Sequence, residues 1–526
     1  MTQEVRNRIL IVGGGIAGWL TAAYLAKKLQ TGSPKGVNIS VIDSPHVPAI
    51  GVGEGTLPSL RLTLATIGVD EAEFMRACGA TFKQGILFRG WTVDPSGTSE
   101  SYFHPFNSPR RLGGLDLSPF WLAEHRQTGP YASAVTPQDA VCLKQRAPKR
   151  ISDPPYSGPM NYAYHLDVNR AADFLKSEAI KLGVKHYSGH VSSVSLNQND
   201  DIESVFSEEV GTLEADLFID CTGFKSLLIE GALGTTFTST SDTLFCDRAL
   251  AVPLAYERVD APLPSTTIST AHAAGWTWDI AARDRRGVGY VYSSRHCDEE
   301  TAARTLHDYI GASEALASPR LVKFDTGFRT HQWHRNCVAV GLSAGFLEPL
   351  ESTGILMVEA AAHLIADFFP WTGQTAPAAR AFNRAMTERY LSAVDFLKLH
   401  FCLSNRPDAA GFWADNRDPE SIPDSLKQLL EMWKHRLPSE HDLLSRHESF
   451  QYINYEYVLL GMKAFPQTMN GGPGQTLPHA DQAHVEFARI QEASKRAVAA
   501  LPDHRALIAQ IQSQAFGANG SSGRAA

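Results

Sequence analysis

The stretch RILIVGGGIAGWLTAAYLAKKLQ, residues 8 to 30, constrains the fold of this chain more than any other. Arg8 to Val12 is an apolar run of strand length, and the residues after the glycines carry apolar side chains at helical spacing. The expected order is strand, glycine turn, helix. After the TGSPKG turn, VNISVID reads as a second apolar strand ending at Asp43, so residues 8 to 43 form one βαβ unit with parallel strands. Gly13, Gly15 and Gly18 then make GxGxxG in the setting that gives the pattern meaning. Glycine lets the backbone approach a pyrophosphate, the helix N-terminus favours its charge, and Asp43 accepts from ribose hydroxyls. A tight turn holding no ligand would use the same glycines.

The fingerprint suits FAD and NAD alike. FAD is favoured by a second glycine-rich segment, IGVGEGTLPSL at 50 to 60 with Glu54, and by the late strand DLFIDCTGF at 216 to 224. No second GxGxxG follows a strand, so a separate nicotinamide domain is not indicated and reducing equivalents come from elsewhere.

With 526 residues the chain exceeds what one core usually fills. The expected class is α/β (α+β): a Rossmann-like FAD-binding βαβ domain, an interleaved β-rich substrate region and a C-terminal helical layer. Residues 1-90, 165-243 and 325-365 make up the discontinuous FAD-binding domain, 91-164 and 244-324 the β-rich substrate region, 366-515 a helical region covering the substrate, and 516-526 a disordered tail. The aromatic, Pro- and Gly-rich stretch from about 80 to 165 reads as strands and long loops.

A net charge of -8 gives no electrostatic reason to expect nucleic acid. Seven scattered cysteines without a CxxC pair suggest neither a disulfide framework nor a zinc site, so no metal is expected and a reducing cytoplasm fits. No run is long enough to span a bilayer, and the N-terminus lacks a signal-peptide core. A cytoplasmic protein with no membrane partner is the expectation.

Across most of its length the chain resembles the flavin-dependent halogenases of the tryptophan-halogenase family. The resemblance rests on GGGIAGW, GVGEGTLPS, TFKQGILFRGW, YFHPF, YAYHLDVNR, DLFIDCTGF, GWTWDIA and CVAVGLSAGFLEPLESTGI, the last matching the family's FxxPxxSxG pattern at Phe346, Pro349, Ser352 and Gly354. It implies a two-component enzyme. A partner flavin reductase supplies FADH2, O2 and a halide, chloride or bromide, are consumed, and hypohalous acid halogenates a small electron-rich aromatic, indole or an indole derivative. A homodimer is among the assemblies it allows.

The resemblance also assigns residues. Gly13, Gly15, Ala17, Gly18, Asp43, Glu54, Val191, Leu342 and Ile355 would hold the flavin. The backbone N–H groups of Thr353 and Gly354, at the start of an apolar helix, would hold the halide, although Ser352 or Thr353 capping that helix accounts for the same residues. Lys83 would hydrogen-bond hypohalous acid or form a haloamine with it, and Glu351 would stabilise the cationic ring and help remove its proton. Without the resemblance, Lys83 reads as a solvated strand residue and Glu351 as a helix-start carboxylate.

His104 and Phe106 would sandwich the ring, and Tyr455 would contact the substrate. Trp276 and Trp278, on one face of a strand, would wall the flavin from the substrate; two core indoles are the plain alternative. The chain departs from the family pattern at four places: Gly55 for a common Ala, Glu456 for a second tyrosine, no tryptophan after Trp433, and Ala281 for the proline ending WxWxIP. The last should loosen the strand's exit. Glu456 and the missing tryptophan argue against free tryptophan and for a more open slot.

The nearest rival is a flavin-dependent aromatic monooxygenase, a hydroxylase. Such enzymes carry Gly-Asp in the late flavin motif where this chain has Gly341-Leu342-Ser343, which favours halogenation. A non-redox flavoprotein or binding module would need neither Lys83 nor the halide turn.

Overall fold

The structure, a computed structural model, describes residues 7–47, 53–407, 410–443, 445–465 and 478–513. Ile50, Gly51 and Val52 of the second glycine segment and the tail 516–526 lie outside the described residues.

The first strand, Arg8–Val12, enters the helix Ile16–Lys28 through the glycines and returns as Asn38–Asp43. The two strands pair in parallel from Arg8↔Asn38 to Val12↔Ile42. Around them forms a six-stranded sheet with Lys185–Ser188 outside Asn38–Asp43, and Leu217–Asp220, Cys337–Ala339 and Trp333–His334 on the other side. Residues Gly18 to Ala26 of the first helix are all buried. A helix apolar on every side must be covered on every side, and Val168–Lys181 and Thr353–Asp367 pack against it. Three distant stretches of chain therefore build this sheet and its helices.

A seven-stranded sheet forms the second layer, in the order Arg320–Lys323, Arg248–Leu254, Arg286–Tyr292, Gly275–Ala281, Thr267–His272, Gly85–Val93, Ser99–Pro105. Only Thr267–His272 and Gly85–Val93 pair in parallel within it. The C-terminal layer is helical, running through Thr375–Cys402, Phe412–Arg417, Asp424–Trp433, Tyr452–Gly461, Ala480–Ala500 and His504–Ser513. The α/β class with a helical C-terminal region is thus the observed one.

Three local expectations differ. TFKQGILFRGW is not one strand: Gly85, at φ +152°, breaks it, so Thr81–Lys83 joins Ala163–Leu166 in a small sheet while Gly85–Val93 joins the large one. Between 91 and 164 the chain also contains the helices Ser118–Thr128, Tyr131–Val135 and Gln138–Leu143. Pro119, Pro130 and Pro137 stand at or just before their first turns, where proline starts helices while looking like a loop in sequence. The exit of GWTWDIA is not loose either: Ala281 stays in register with Arg286, and its carbonyl accepts from Thr81 Oγ1 at 2.6 Å.

Candidate functional site

Each glycine of the fingerprint has its own cause. Gly13 (φ +116°) donates its N–H to Ile42 O at 2.9 Å, and a Cβ there would run into the carbonyl of Cys221. A Cβ on Gly18 would strike the carbonyl of Gly13. Gly15 is different: it caps the helix with no side chain, and a Cβ would meet only open space. That opening at a helix N-terminus suits a pyrophosphate.

Asp43 ends the second strand beside this turn, as expected, but is already engaged by His186 Nε2 at 2.6 Å, a partner the sequence did not suggest. Ala17 packs against Gly341, whose added Cβ would stand 2.8 Å from it, and Leu342 follows in the same turn. Val191 packs with Leu10, Val12 and Ile42 at the sheet's other face, and Ile355 is buried in the helix Thr353–Asp367. Leu342 stands where the hydroxylase pattern has Asp, and Ser343 after it donates its hydroxyl to Asp220 O at 2.5 Å. Asp220 itself accepts the N–H groups of Leu228 and Ile229, each at 2.8 Å, so its carboxylate holds a turn.

The turn Pro349–Glu351 passes through Ser352, in left-handed conformation (φ +59°, ψ +40°), into the helix Thr353–Asp367. Ser352 does not cap that helix. Its hydroxyl accepts from Lys83 Nζ at 2.7 Å instead. Among the described residues the N-cap supplies no side-chain acceptor to the first N–H groups, and a Cβ on Gly354 would enter open space, so the helix start fits a small anion.

Lys83 is buried, and burial pushes its ammonium down to about 7 against the pull of Glu351 and Glu54. Burial likewise pushes Glu54 up to about 7 despite Lys83's charge. Nζ also lies 5.3 Å from the Phe106 ring centroid. A Cβ on Gly55 would stand 2.8 Å from Ser352 Oγ and 3.1 Å from Lys83 Nζ, so this glycine makes room for their bond.

Glu351 is buried beside two histidines. His104 Nδ1 lies 2.9 Å and His400 Nε2 3.0 Å from the same oxygen, Oε1. Burial pushes the Glu351 carboxyl up, but His104 by charge and hydrogen bond, with His400, reverses this and holds it at about 2. His400 is held in turn through Nδ1 to Phe396 O at 2.8 Å.

Trp276 and Trp278 are both buried, with ring centroids 6.3 Å apart at 60°. Trp276 Nε1 donates to Glu348 Oε2 at 2.7 Å. Burial pushes Glu348 up to about 7 against that bond. Trp278 lies against Gly289 of the neighbouring strand, where a Cβ would collide with its ring.

The structure brings Lys83, His104, Phe106, Glu351 and Ser352 together. Tyr455 is not with them: its buried ring packs on Phe396 and Trp433 at centroid distances of 4.9 and 5.3 Å. One residue earlier, Asn454 reaches His104 Nε2 at 3.0 Å. Glu456 points into a different buried niche beside Ser118 and Tyr131, where burial pushes it up to about 8. Sequence reasoning missed His400, Asn454 and Glu348; a polar residue within an apolar helical run, as in LKLHF, is the only local signal for the first.

Among the described residues no helix is long and apolar enough to cross a membrane. Residues 8–473 match the family described as tryptophan halogenase. The chain is 32% identical to the tryptophan 6-halogenase of Streptomyces toxytricini, covering 95% of this chain and 98% of that one. It is also 32% identical to the tryptophan 7-halogenase of Lentzea aerocolonigenes, over 96% and 98%. The crystal structure of a tryptophan halogenase from Shewanella frigidimarina superposes with a TM-score of 0.92 at 39% identity, covering 98% of this chain and 99% of that one.

Proposed function

Since the chain belongs to the tryptophan halogenase family and is a flavin-dependent halogenase, we propose the following division of labour among its residues. The turn at Gly13, Gly15 and Gly18, with Ala17, Asp43, Glu54, Val191, Leu342 and Ile355, holds FAD, received as FADH2 from a separate reductase. Bound reduced flavin supplies the activation of O2 that, with halide, yields hypohalous acid. Thr353 and Gly354 hold the halide at the uncapped helix start.

Lys83 receives hypohalous acid. A buried ammonium near 7 can donate to the oxygen of HOX or, deprotonated, act as a nucleophilic amine. The observation that carries this reading is the Lys83–Ser352 hydrogen bond, which seats the lysine at the mouth of the halide turn. Glu351, held near 2, is a weak base; its supported role is to stabilise positive charge on the ring. Phe106 and His104 border the aromatic substrate, for which indole or an indole derivative fits better than free tryptophan, because Tyr455 and Glu456 both face away from this cluster. Trp276 and Trp278 separate flavin from substrate.

The test is incubation with a flavin reductase, NADH, FAD, bromide and indole. Brominated indole is the expected product; hydroxylated indole in its place would support the monooxygenase reading and defeat this one.

A further inference from the structure

Asn454, in the helix Tyr452–Gly461, donates through Nδ2 to Gln451 O at 3.1 Å. This fixes the amide so that Oδ1 faces His104 Nε2 at 3.0 Å; the flipped amide would set oxygen against the Gln451 carbonyl. The other ring nitrogen, Nδ1, lies 2.9 Å from Glu351 Oε1. An amide oxygen only accepts, and so does Glu351 in the ionised form that its low value, about 2, gives it, so both ring nitrogens donate. An imidazole with two donors is an imidazolium. In either neutral tautomer a lone pair would face one of the two oxygens, and His104 is too buried for water to take that oxygen's place.

We propose that Asn454 is a positioning residue that holds His104 as imidazolium, and that this cation keeps Glu351 ionised with Oε1 occupied. The proposal deepens the reading of this site as a halogenase centre and rests on it. The charged and titratable groups around His104 come from every packed element. Glu351 faces it from the turn before the helix Thr353–Asp367, Lys83 from the strand Thr81–Lys83, His400 from the helix Thr375–Cys402 across Glu351, and Tyr457 from Asn454's own helix at a centroid distance of 6.0 Å. Burial and Lys83 work against the cation; Glu351 and Asn454 together prevail and raise His104 above its ordinary value.

Three other buried glutamates show what the imidazolium does. Glu348, Glu359 and Glu456 receive no histidine bond of this kind, and burial pushes them up to about 7, 8 and 8. Glu351, equally buried, differs in its histidines. Asn454 thus acts on the carboxylate through His104 without touching it.

The full-length protein labelled with 15N-histidine tests this by NMR of the ring nitrogens from about pH 5 to about pH 9, with His104→Gln identifying the signal. In the parent, both His104 nitrogens should carry protons at neutral pH. In Asn454→Leu the midpoint should fall by about one pH unit, a tenfold change in the proton equilibrium, and in Asn454→Asp it should rise. A neutral His104 in the parent, or the same midpoint in parent and Asn454→Leu, overturns the proposal. If Asn454→Leu does not fold, an unmoved or lowered midpoint in Asn454→Asp does the same. No turnover is measured, so failure of the halogenase reading would show separately in the bromination assay.

Discussion

Lys83 Nζ donates to Ser352 Oγ across 2.7 Å, with Gly55 leaving space for both atoms. The hydroxyl is an acceptor for a buried ammonium, so removing it disfavours the charged form. In Ser352→Ala the limb of the pH–rate profile set by Lys83, near 7 in the parent, should move to lower pH by about one unit. A limb that stays in place would separate Lys83 from the rate.

The glycines predict two opposite phenotypes. Gly15→Val places atoms in open space at the helix start, so FAD binding should weaken at least about tenfold with little change in melting temperature. Gly18→Ala meets the Gly13 carbonyl and should instead destabilise the fold, by roughly 1–3 kcal/mol. Flavin titration and thermal melts distinguish them; equal effects of both substitutions on both readouts would refute the assignment.

Glu351 predicts an acid limit to stability. Its folded value, about 2, lies below the ordinary value of 4.5, so its contribution is present above about 4.5 and lost as pH falls through about 2. The shift corresponds to roughly 3 kcal/mol. Denaturant unfolding should show that slope in the parent and lack it in Glu351→Gln. The raised glutamates, Glu54, Glu348 and Glu359, act in a separate window, losing stability as pH rises from 4.5 toward 7 or 8.

Trp276→Phe keeps an aromatic ring in place but removes the five-membered half of a buried indole and with it the N–H that Glu348 accepts. A buried acceptor without its donor costs about 1–3 kcal/mol. Chemical denaturation should show a loss of that size, growing above pH 7 as Glu348 ionises; a neutral substitution would mean that the bond contributes nothing.

The fold was legible where its cause is local. Gly13, Gly15 and Gly18, the strand Arg8–Val12 and the apolar helix after it all declare themselves within thirty residues, and the structure reproduces them. The candidate site could be proposed only through resemblance, because its bonds join residues far apart in the chain: 269 positions for Lys83 and Ser352, 247 for His104 and Glu351, 350 for His104 and Asn454. Nothing within the NYEY segment tells which residue turns toward His104. Helical phase decides it, sending Asn454 to the histidine, Tyr455 into an aromatic core and Glu456 to Tyr131. The helices after residue 118 were hidden by the same prolines that begin them.

The role of Lys83 is tested most directly by bromination of indole with reductase-supplied FADH2, comparing the parent with Lys83→Ala. The account predicts that the variant folds, binds FAD and consumes reduced flavin, yet forms brominated product at least about a hundredfold more slowly. Product formed at a comparable rate by Lys83→Ala would contradict it.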